Sequence, residues 1–426
     1  MLTVGNVIRG VAVDLDYQGQ GVVRHDNYVI FVKGLIEGEE AEIKITKLNK
    51  NFGQGVVLKL TKKSKHRINH KDEVLGSCDM IHVDPIKQLE WQVRITEETM
   101  KKIGKIDFKI EHILSNNITS NYRNKNVFHV MDEPFLKLGL YDLSGRNLIA
   151  VDSFVLADDK TNEVLKYLSE NSVLIDPNKL KHIAFRTNLK KEILITLIVT
   201  EDHFLGKGEL LTKLKKIPNV VGITLNIKDN PKSILGKVSK VLFGENLITE
   251  PIGSMEMLVS DRSFFQVNLP VIQMAYQMIK EKIEKNQYII DAYSGNGSIG
   301  FYLSDTASKV VMVESNIESV EMARLIKDKY NLEKVEVIDA KAEEIIKLLD
   351  ADVLIVDPPR NGLMPEFIET VLTKSFKQIF YLSCDAKTLA RDLTELTKAF
   401  DIEDIIPIKM FYHTSELETL VILKKK

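Results

Sequence analysis

Over the first sixty residues apolar and polar positions alternate in short runs, such as Asn27-Tyr28-Val29-Ile30-Phe31-Val32 and Ala41-Glu42-Ile43-Lys44-Ile45, broken by Gly19, Gly21, Gly34, Gly38 and Gly55. Period-two runs at this spacing predict a small antiparallel β-barrel over residues 1–62. A basic link near Thr61–His70 follows, and the stretch around Gln88-Leu89-Glu90-Trp91-Gln92-Val93 then takes on helical spacing. Residues 106–245 mix β-rich runs such as Glu192–Val199 with helical segments. The pattern predicts a central α+β domain over 63–250, with 84–105 free to pack against the next domain. From about Ser263 the strands Tyr288–Asp291, Val310–Glu314, Val353–Asp357 and Gln378–Ser383 alternate with helical stretches. That predicts a doubly wound, Rossmann-like α/β domain over 251–426.

The 426 residues are 44% hydrophobic and 28% charged, which excludes disordered and collagen-like classes. Two cysteines, Cys78 and Cys384, are too few for a disulfide framework and point to a reducing compartment, read here as the cytoplasm. No basic-then-apolar leader and no run of about 20 apolar residues is present, so neither export nor membrane insertion is expected. The net charge of −2 argues for no polyanionic partner, but its distribution does. Between Ile43 and His70 stand Lys44, Lys47, Lys50, Lys59, Lys62, Lys63, Lys65 and Arg67 without one Asp or Glu. Such a block is either a solvated link or a footprint for nucleic acid. Tyr17, Tyr28, Phe31 and Phe52 lie in the same region and divide between core packing and base stacking.

Candidate chemistry gathers in the last domain. The predicted strand ending at Asp291 runs into Ala292-Tyr293-Ser294-Gly295-Asn296-Gly297-Ser298-Ile299-Gly300, and Glu314 ends the next strand. Glycines at such a turn let backbone approach a ligand, and an acid at that second strand end suits ribose hydroxyls. Gly295, Gly297 and Gly300 also spell the dinucleotide fingerprint, so a nicotinamide dehydrogenase is a rival. Asp291, the Ser-Gly-Asn-Gly loop and Asp357-Pro358-Pro359-Arg360 on the same sheet edge favour S-adenosylmethionine instead. The strand after that ends at Ser383-Cys384-Asp385, which puts a thiol at the same edge.

Five segments in order carry a resemblance: Ser263-Phe264-Phe265-Gln266-Val267-Asn268, Asp291–Gly300, Asp357–Arg360, Leu382–Asp385 and His413-Thr414-Ser415-Glu416-Leu417-Glu418-Thr419. The chain resembles the RNA uracil-5-methyltransferase family, and residues 1–60 resemble its TRAM domain, an OB-like RNA-binding barrel. Tyr122-Arg123-Asn124-Lys125 is also similar to the family's central sequence. The resemblance implies Cys384 as the nucleophile that adds to carbon 6 of uracil and Glu418 as the base that removes the carbon-5 proton, a division of labour that covalent catalysis requires. Glu416 and Glu418 would share a strand face, so spacing alone leaves both open. The resemblance further implies Gln266, Tyr293, Glu314 and Asp357 as S-adenosylmethionine contacts and Arg123 and Lys125 as RNA contacts. Without it, Gln266 would read only as a helix-start residue. His413 reads as structural or RNA-facing. A cytosine-5-methyltransferase is disfavoured because Arg360, not cysteine, follows the two prolines.

The TRAM-like barrel implies 23S ribosomal RNA as substrate, with transfer RNA the alternative and a catalytically inactive RNA-binding relative the remaining rival. Many relatives hold an iron-sulfur cluster on four cysteines. Here the corresponding stretch is Leu75–His82, with Asn69 and Ser153 at the first and fourth positions, so only the Cys78 thiol survives and no metal is expected. A monomer is the default expectation.

Overall fold

The computed structural model describes residues 2–230 and 232–426, which divide into two compact units. The first comprises Met1–Glu98, Leu140–Ile149 and Phe411–Leu417, and the second Thr99–Gly139, Ala150–Met410 and Glu418–Lys426.

In the first unit β1 (Val7–Leu15), β2 (Gly21–His25), β3 (Tyr28–Lys33), β4 (Glu40–Leu48) and β5 (Phe52–Lys62) close into a barrel in the order β1-β2-β3-β5-β4. Alternation works as the sequence predicts: Ala41, Ile43 and Ile45 of β4 join Ile8, Val23, Ile30 and Val32 inside, while Glu42, Lys44 and Thr46 face solvent. The barrel is not wholly antiparallel, however, because β3 and β5 run parallel. Five strands in a closed ring cannot alternate direction throughout, so one like-directed pair is unavoidable. Seven lysines of the basic block are exposed, but Arg67 is not available to a ligand. Its guanidinium donates to both Glu39 oxygens (2.6 and 2.8 Å) and to the Gly34 carbonyl, tying the link back onto the barrel. Of the four aromatics, Tyr17 and Phe52 are the exposed pair, Tyr28 packs on the barrel core and Phe31 meets Phe52 edge-on.

Asp84 caps α1 (Pro85–Thr99) by accepting from the Ile86 amide, and the Trp91 indole donates to the Asp16 carbonyl. Cys78 is buried, its thiol donating to the Asp72 carbonyl at 3.1 Å, and burial holds its pKa far above the ordinary thiol value. Among the described residues no group of three or more His, Cys, Asp or Glu is placed to hold a metal ion. Segment 411–417 is anchored in this unit: Gln88 accepts from the His413 amide at 2.7 Å and its Nε2 faces His413 Nδ1 at 3.0 Å, while Asp79 accepts from the Ser415 amide and hydroxyl.

The second unit begins with a π-helical turn, Met100–Gly104, whose Gly104 carbonyl accepts from Thr394. A seven-stranded sheet uses β6 (Lys125–Val130), β7 (Leu138–Tyr141), β8 (Leu148–Ala150), β9 (Leu180–Thr187), β10 (Ile193–Val199), β11 (Val220–Ile227) and β12 (Ser239–Gly244), ordered β12-β11-β10-β9-β6-β7-β8, with helices α2 (Asp159–Glu170) and α3 (Lys207–Leu214) between strands; of β7 and β8, only Leu138, Gly139 and Ala150 belong to the second unit. A hairpin, β13 (Leu247–Ile252) and β14 (Met255–Ser260), leads to α4 (Leu269–Lys282).

There follow β15 (Tyr288–Ala292), α5 (Ser298–Leu303), β16 (Lys309–Glu314), α6 (Ile317–Lys329), β17 (Val335–Asp339), α7 (Ala342–Ile345), β18 (Val353–Val356), α8 (Pro365–Thr373), β19 (Gln378–Ser383), α9 (Ala386–Leu396), β20 (Phe400–Pro407) and β21 (Thr419–Lys425). The sheet order is β17-β16-β15-β18-β19-β21-β20, with the first five strands parallel and β21 antiparallel to both neighbours. Helices cover both faces, which is why Val353–Val356 is buried at every position and reads as an unbroken apolar run. No helix among the described residues is long and apolar enough to cross a membrane.

Candidate active site

The carboxyl edge of the doubly wound sheet gathers several of the candidate side chains. Asp291, the penultimate residue of β15, is fully buried; its Oδ2 accepts from the Gly300 amide at 2.9 Å, and its Oδ1 has no partner. Burial first, then the charges of Asp357 and Glu314, push its carboxyl up to about 8. The turn that follows is left-handed at Tyr293, Gly295 and Gly297. Gly297 and Gly300 lie so close to Met312 that a β-carbon at either would come within 2.7 Å of its sulfur. The Ser294 hydroxyl and the Asn296 side-chain nitrogen are buried without partners beside Asp291 in the chain.

Tyr293 donates its phenol hydrogen to Glu343 at 2.7 Å and its ring tilts against Phe367. Glu314, at the end of β16 as the sequence predicts, accepts from the amides of Gly295 (2.9 Å), Ser315 and Asn316. Three of its roughly four acceptor positions are thus committed to shaping the loop. Gln266 is not at the helix start: α4 begins at Leu269, and Gln266 precedes it on a loop whose backbone is held by Asn124. The Gln266 side chain is half-buried.

Three groups converge from three strand ends. Asp357 follows β18, Cys384 follows β19 and Glu418 directly precedes β21. Burial lifts the Cys384 thiol to about 11, with the charges of Glu418 and Asp357 raising it further and Arg360 opposing them. Burial also raises Asp357 well above the usual carboxylate range. Behind Cys384, Asp385 accepts from the Lys387 and Thr388 amides at 2.9 Å and caps α9, so the thiol sits between a strand end and a fixed helix start.

Glu416 and Glu418 are sorted by the fold rather than by a shared strand face, since the strand begins only at Thr419. Glu418 is buried and its charge acts on Cys384; Glu416 is exposed and its charge acts on Asp79 in the first unit. Tyr276 escaped the sequence reading. It is buried in α4, 3.1 Å from the Ser298 hydroxyl, and feels the charges of Asp357, Asp291 and Glu418. A phenol on the apolar face of a helix was its only signal.

Arg123 and Lys125 lie elsewhere in the second unit. Arg123 Nε donates to the Lys125 carbonyl, and Lys125 pairs in register with Arg186. Burial, with Arg186 second, lowers the Lys125 ammonium to about 7 despite Asp261 and Glu318.

Comparison with known proteins places this geometry. A model of the tRNA (Uracil-5-)-methyltransferase family matches residues 86–426 and a TRAM domain model matches 5–58. An uncharacterized RNA methyltransferase of Oceanobacillus iheyensis is 33% identical over 97% of this chain and 95% of its own length. One from Clostridium tetani is 32% identical over 95% of this chain and 94% of its own. Among solved structures, the Pyrococcus abyssi tRNA (uracil-54, C5)-methyltransferase in complex with S-adenosyl-L-homocysteine superposes with a TM-score of 0.80 at 22% identity, over 97% of this chain and 99% of that one. With a family match over most of its length and relatives above 30% identity across nearly all of it, the chain belongs to the RNA (uracil-5-)-methyltransferase family and carries a TRAM barrel at its amino-terminal side.

Proposed function

We propose that the protein methylates carbon 5 of uridine in RNA with S-adenosylmethionine, through a covalent bond between Cys384 and carbon 6. The observation that carries the reading is the convergence of Cys384, Asp357 and Glu418 at one sheet edge, with Asp291 and the glycine turn beside them on β15.

The turn fits the cofactor. Its buried, unpartnered Asp291 Oδ1, Ser294 Oγ and Asn296 Nδ2 are polar atoms whose desolvation a ligand would offset. Asp291, Glu314, Tyr293, Gln266 and Asp357 are the residues assigned to hold it. S-adenosylmethionine, when bound, supplies an electrophilic methyl group. Carbon 5 of uracil is a weak nucleophile, and addition of the Cys384 thiolate to carbon 6 makes it a strong one. The thiol rests protonated at neutral pH, so its proton must leave as the sulfur adds. Once carbon 5 carries the methyl group, Glu418 removes the remaining proton there and the carbon–sulfur bond breaks, regenerating the thiolate. The target base must be unpaired or flipped out, since stacking hides carbon 6.

For the substrate we propose 23S ribosomal RNA, on the strength of the TRAM barrel, with contacts from Arg123 and Lys125. Transfer RNA is the second reading, because the family description names it and a solved tRNA enzyme spans 97% of this chain, barrel region included. An iron-sulfur cluster is not part of the proposal: Cys78 is alone and its thiol already serves a backbone carbonyl. The enzyme is proposed to act as a cytoplasmic monomer.

The test is mass spectrometry after mixing the protein with S-adenosylmethionine and 5-fluorouridine-substituted RNA, with ribosomal fragments and transfer RNA offered separately. Fluorine at carbon 5 cannot be abstracted as a proton, so an adduct on Cys384 is expected, from the ribosomal pool. Cys384→Ala should give no adduct while binding S-adenosylmethionine nearly as tightly. On ordinary RNA, Glu418→Gln should accumulate a methylated covalent species; normal turnover by that variant would remove Glu418 from the mechanism.

A further inference from the structure

One short segment of the second unit, Ser263–Asn268, is pinned at four points. The Arg186 guanidinium, on β9, donates to the Ser263 carbonyl at 2.6 Å. Asn124, the residue before β6, holds two successive carbonyls: its Nδ2 donates to that of Gln266 at 3.2 Å, and its backbone amide to that of Val267 at 3.0 Å. Asn268 donates from its own side chain to the Met410 carbonyl at 2.9 Å. Burying such groups is costly unless their hydrogen bonds are made. Arg186 and Asn268 are almost wholly buried, and Asn124 is 9% exposed with its Oδ1 left without a partner. A second contact fixes the Asn124 amide, since Nδ2 also donates to Glu250 Oε1 at 3.2 Å. Both neighbours accept, so the nitrogen faces them. Asn124 is itself held by β9, whose Thr187 amide donates to its carbonyl at 2.8 Å.

Gln266 differs from the rest of this segment. Its backbone is clamped, yet its half-buried side-chain amide makes no hydrogen bond among the described residues. A rigid backbone beneath an uncommitted side chain is how a contact residue is preorganised. We propose that Asn124 is a positioning residue for the cofactor: by fixing the Gln266 peptide it aims the Gln266 side chain at S-adenosylmethionine. The inference rests on the methyltransferase reading and on the assignment of Gln266 to the cofactor. It gives the sheet of β6–β12 a part in cofactor binding, although that sheet bears none of the cofactor residues assigned above. Asn124 stands between Arg123 and Lys125, so the residues proposed to meet RNA and the one proposed to aim Gln266 are neighbours in the chain.

The experiment is isothermal titration calorimetry of S-adenosylmethionine with the full-length protein, on wild type, Asn124→Ala, Gln266→Ala and the double variant. Gln266→Ala should weaken binding about fivefold, the loss of roughly one hydrogen bond. Asn124→Ala keeps the backbone bond to Val267 and removes only the side-chain bonds, and it should weaken binding by about as much. Because Asn124 acts through Gln266, the double variant should bind within about twofold of either single one, whereas independent effects would multiply to about 25-fold. Asn124→Asp keeps the shape and removes the donor, so it should match Asn124→Ala. It also carries the test should the alanine protein lack a cooperative urea transition. The loss should appear in the S-adenosylmethionine concentration that gives half the maximal rate of 5-fluorouridine adduct formation, and not in the rate at saturation. Undiminished binding by the Asn124 variants, no effect of Gln266→Ala, effects that multiply, or a loss confined to the saturating rate overturns the proposal. Wild type that binds no S-adenosylmethionine would strike the functional reading and this inference with it. Wild type that binds it without forming an adduct would strike the covalent mechanism alone, and the calorimetric cycle would still decide the role of Asn124.

Discussion

Cys384 has the reactivity of a held reagent. Its thiol is lifted to about 11 by burial, by Glu418 and by Asp357, with Arg360 and a backbone amide pulling the other way. At neutral pH it is therefore protonated, the form that reacts poorly. Glu418→Gln removes one of the anions, so the thiol pKa should fall. Alkylation of Cys384 by iodoacetamide at about pH 8 should then speed up severalfold, since each unit of pKa is tenfold in thiolate. Arg360→Ala should slow it by a similar factor. Both rates are read by peptide mass spectrometry, where buried Cys78 serves as the unreactive control. At this scale the motifs singled out Cys384 and Asp357 because they sit beside chain-local signatures, and the fold places both at strand ends of one sheet. The difference in burial between Glu416 and Glu418 was not legible, since it depends on which unit each carboxylate enters. Tyr276 was missed for a related reason: its partner, Ser298, lies far along the chain.

The turn between β15 and α5 works only with small residues in left-handed backbone. Gly297 has φ of 85°, and a β-carbon there would stand 2.7 Å from the Met312 sulfur and 2.8 Å from the Phe301 ring. Gly297→Ala should therefore cost about 1–3 kcal/mol of stability, seen as a lower urea midpoint. It should also weaken S-adenosylmethionine binding at least about tenfold by calorimetry, because the loop that offers Asn296 and Ser294 must shift. The parallel strands were readable because burial on both faces leaves an unbroken apolar run. The barrel's strands were readable too, by their period of two. Its parallel β3–β5 pair was not, because strand direction in a five-membered ring is set by closure and leaves no mark on local alternation.

Over the whole molecule, the cost of the site appears as a dependence of stability on pH. The folded Asp291 carboxyl titrates near 8, against about 4 for a free one, so between these values the native state keeps a proton that the unfolded chain has released. Stability must fall as pH rises through this window, and the contribution is lost above 8. Asp291→Asn should abolish that part of the slope and be more stable than wild type at about pH 8 by on the order of 2 kcal/mol, measured by urea unfolding at about pH 6 and 8. Equal slopes in both proteins would show that the carboxyl is ionised in the native state. The sheet that bears Asp291 has a further property. β21 lies between β19 and β20 although it follows both in sequence. Until it docks, β19 and β20 each present a bare, apolar edge of unpaired amides and carbonyls, the kind of surface that recruits strands from other molecules. Refolding at high protein concentration is thus a race between one intramolecular insertion and aggregation, and residues 419–425 are the segment whose loss would leave both edges permanently open.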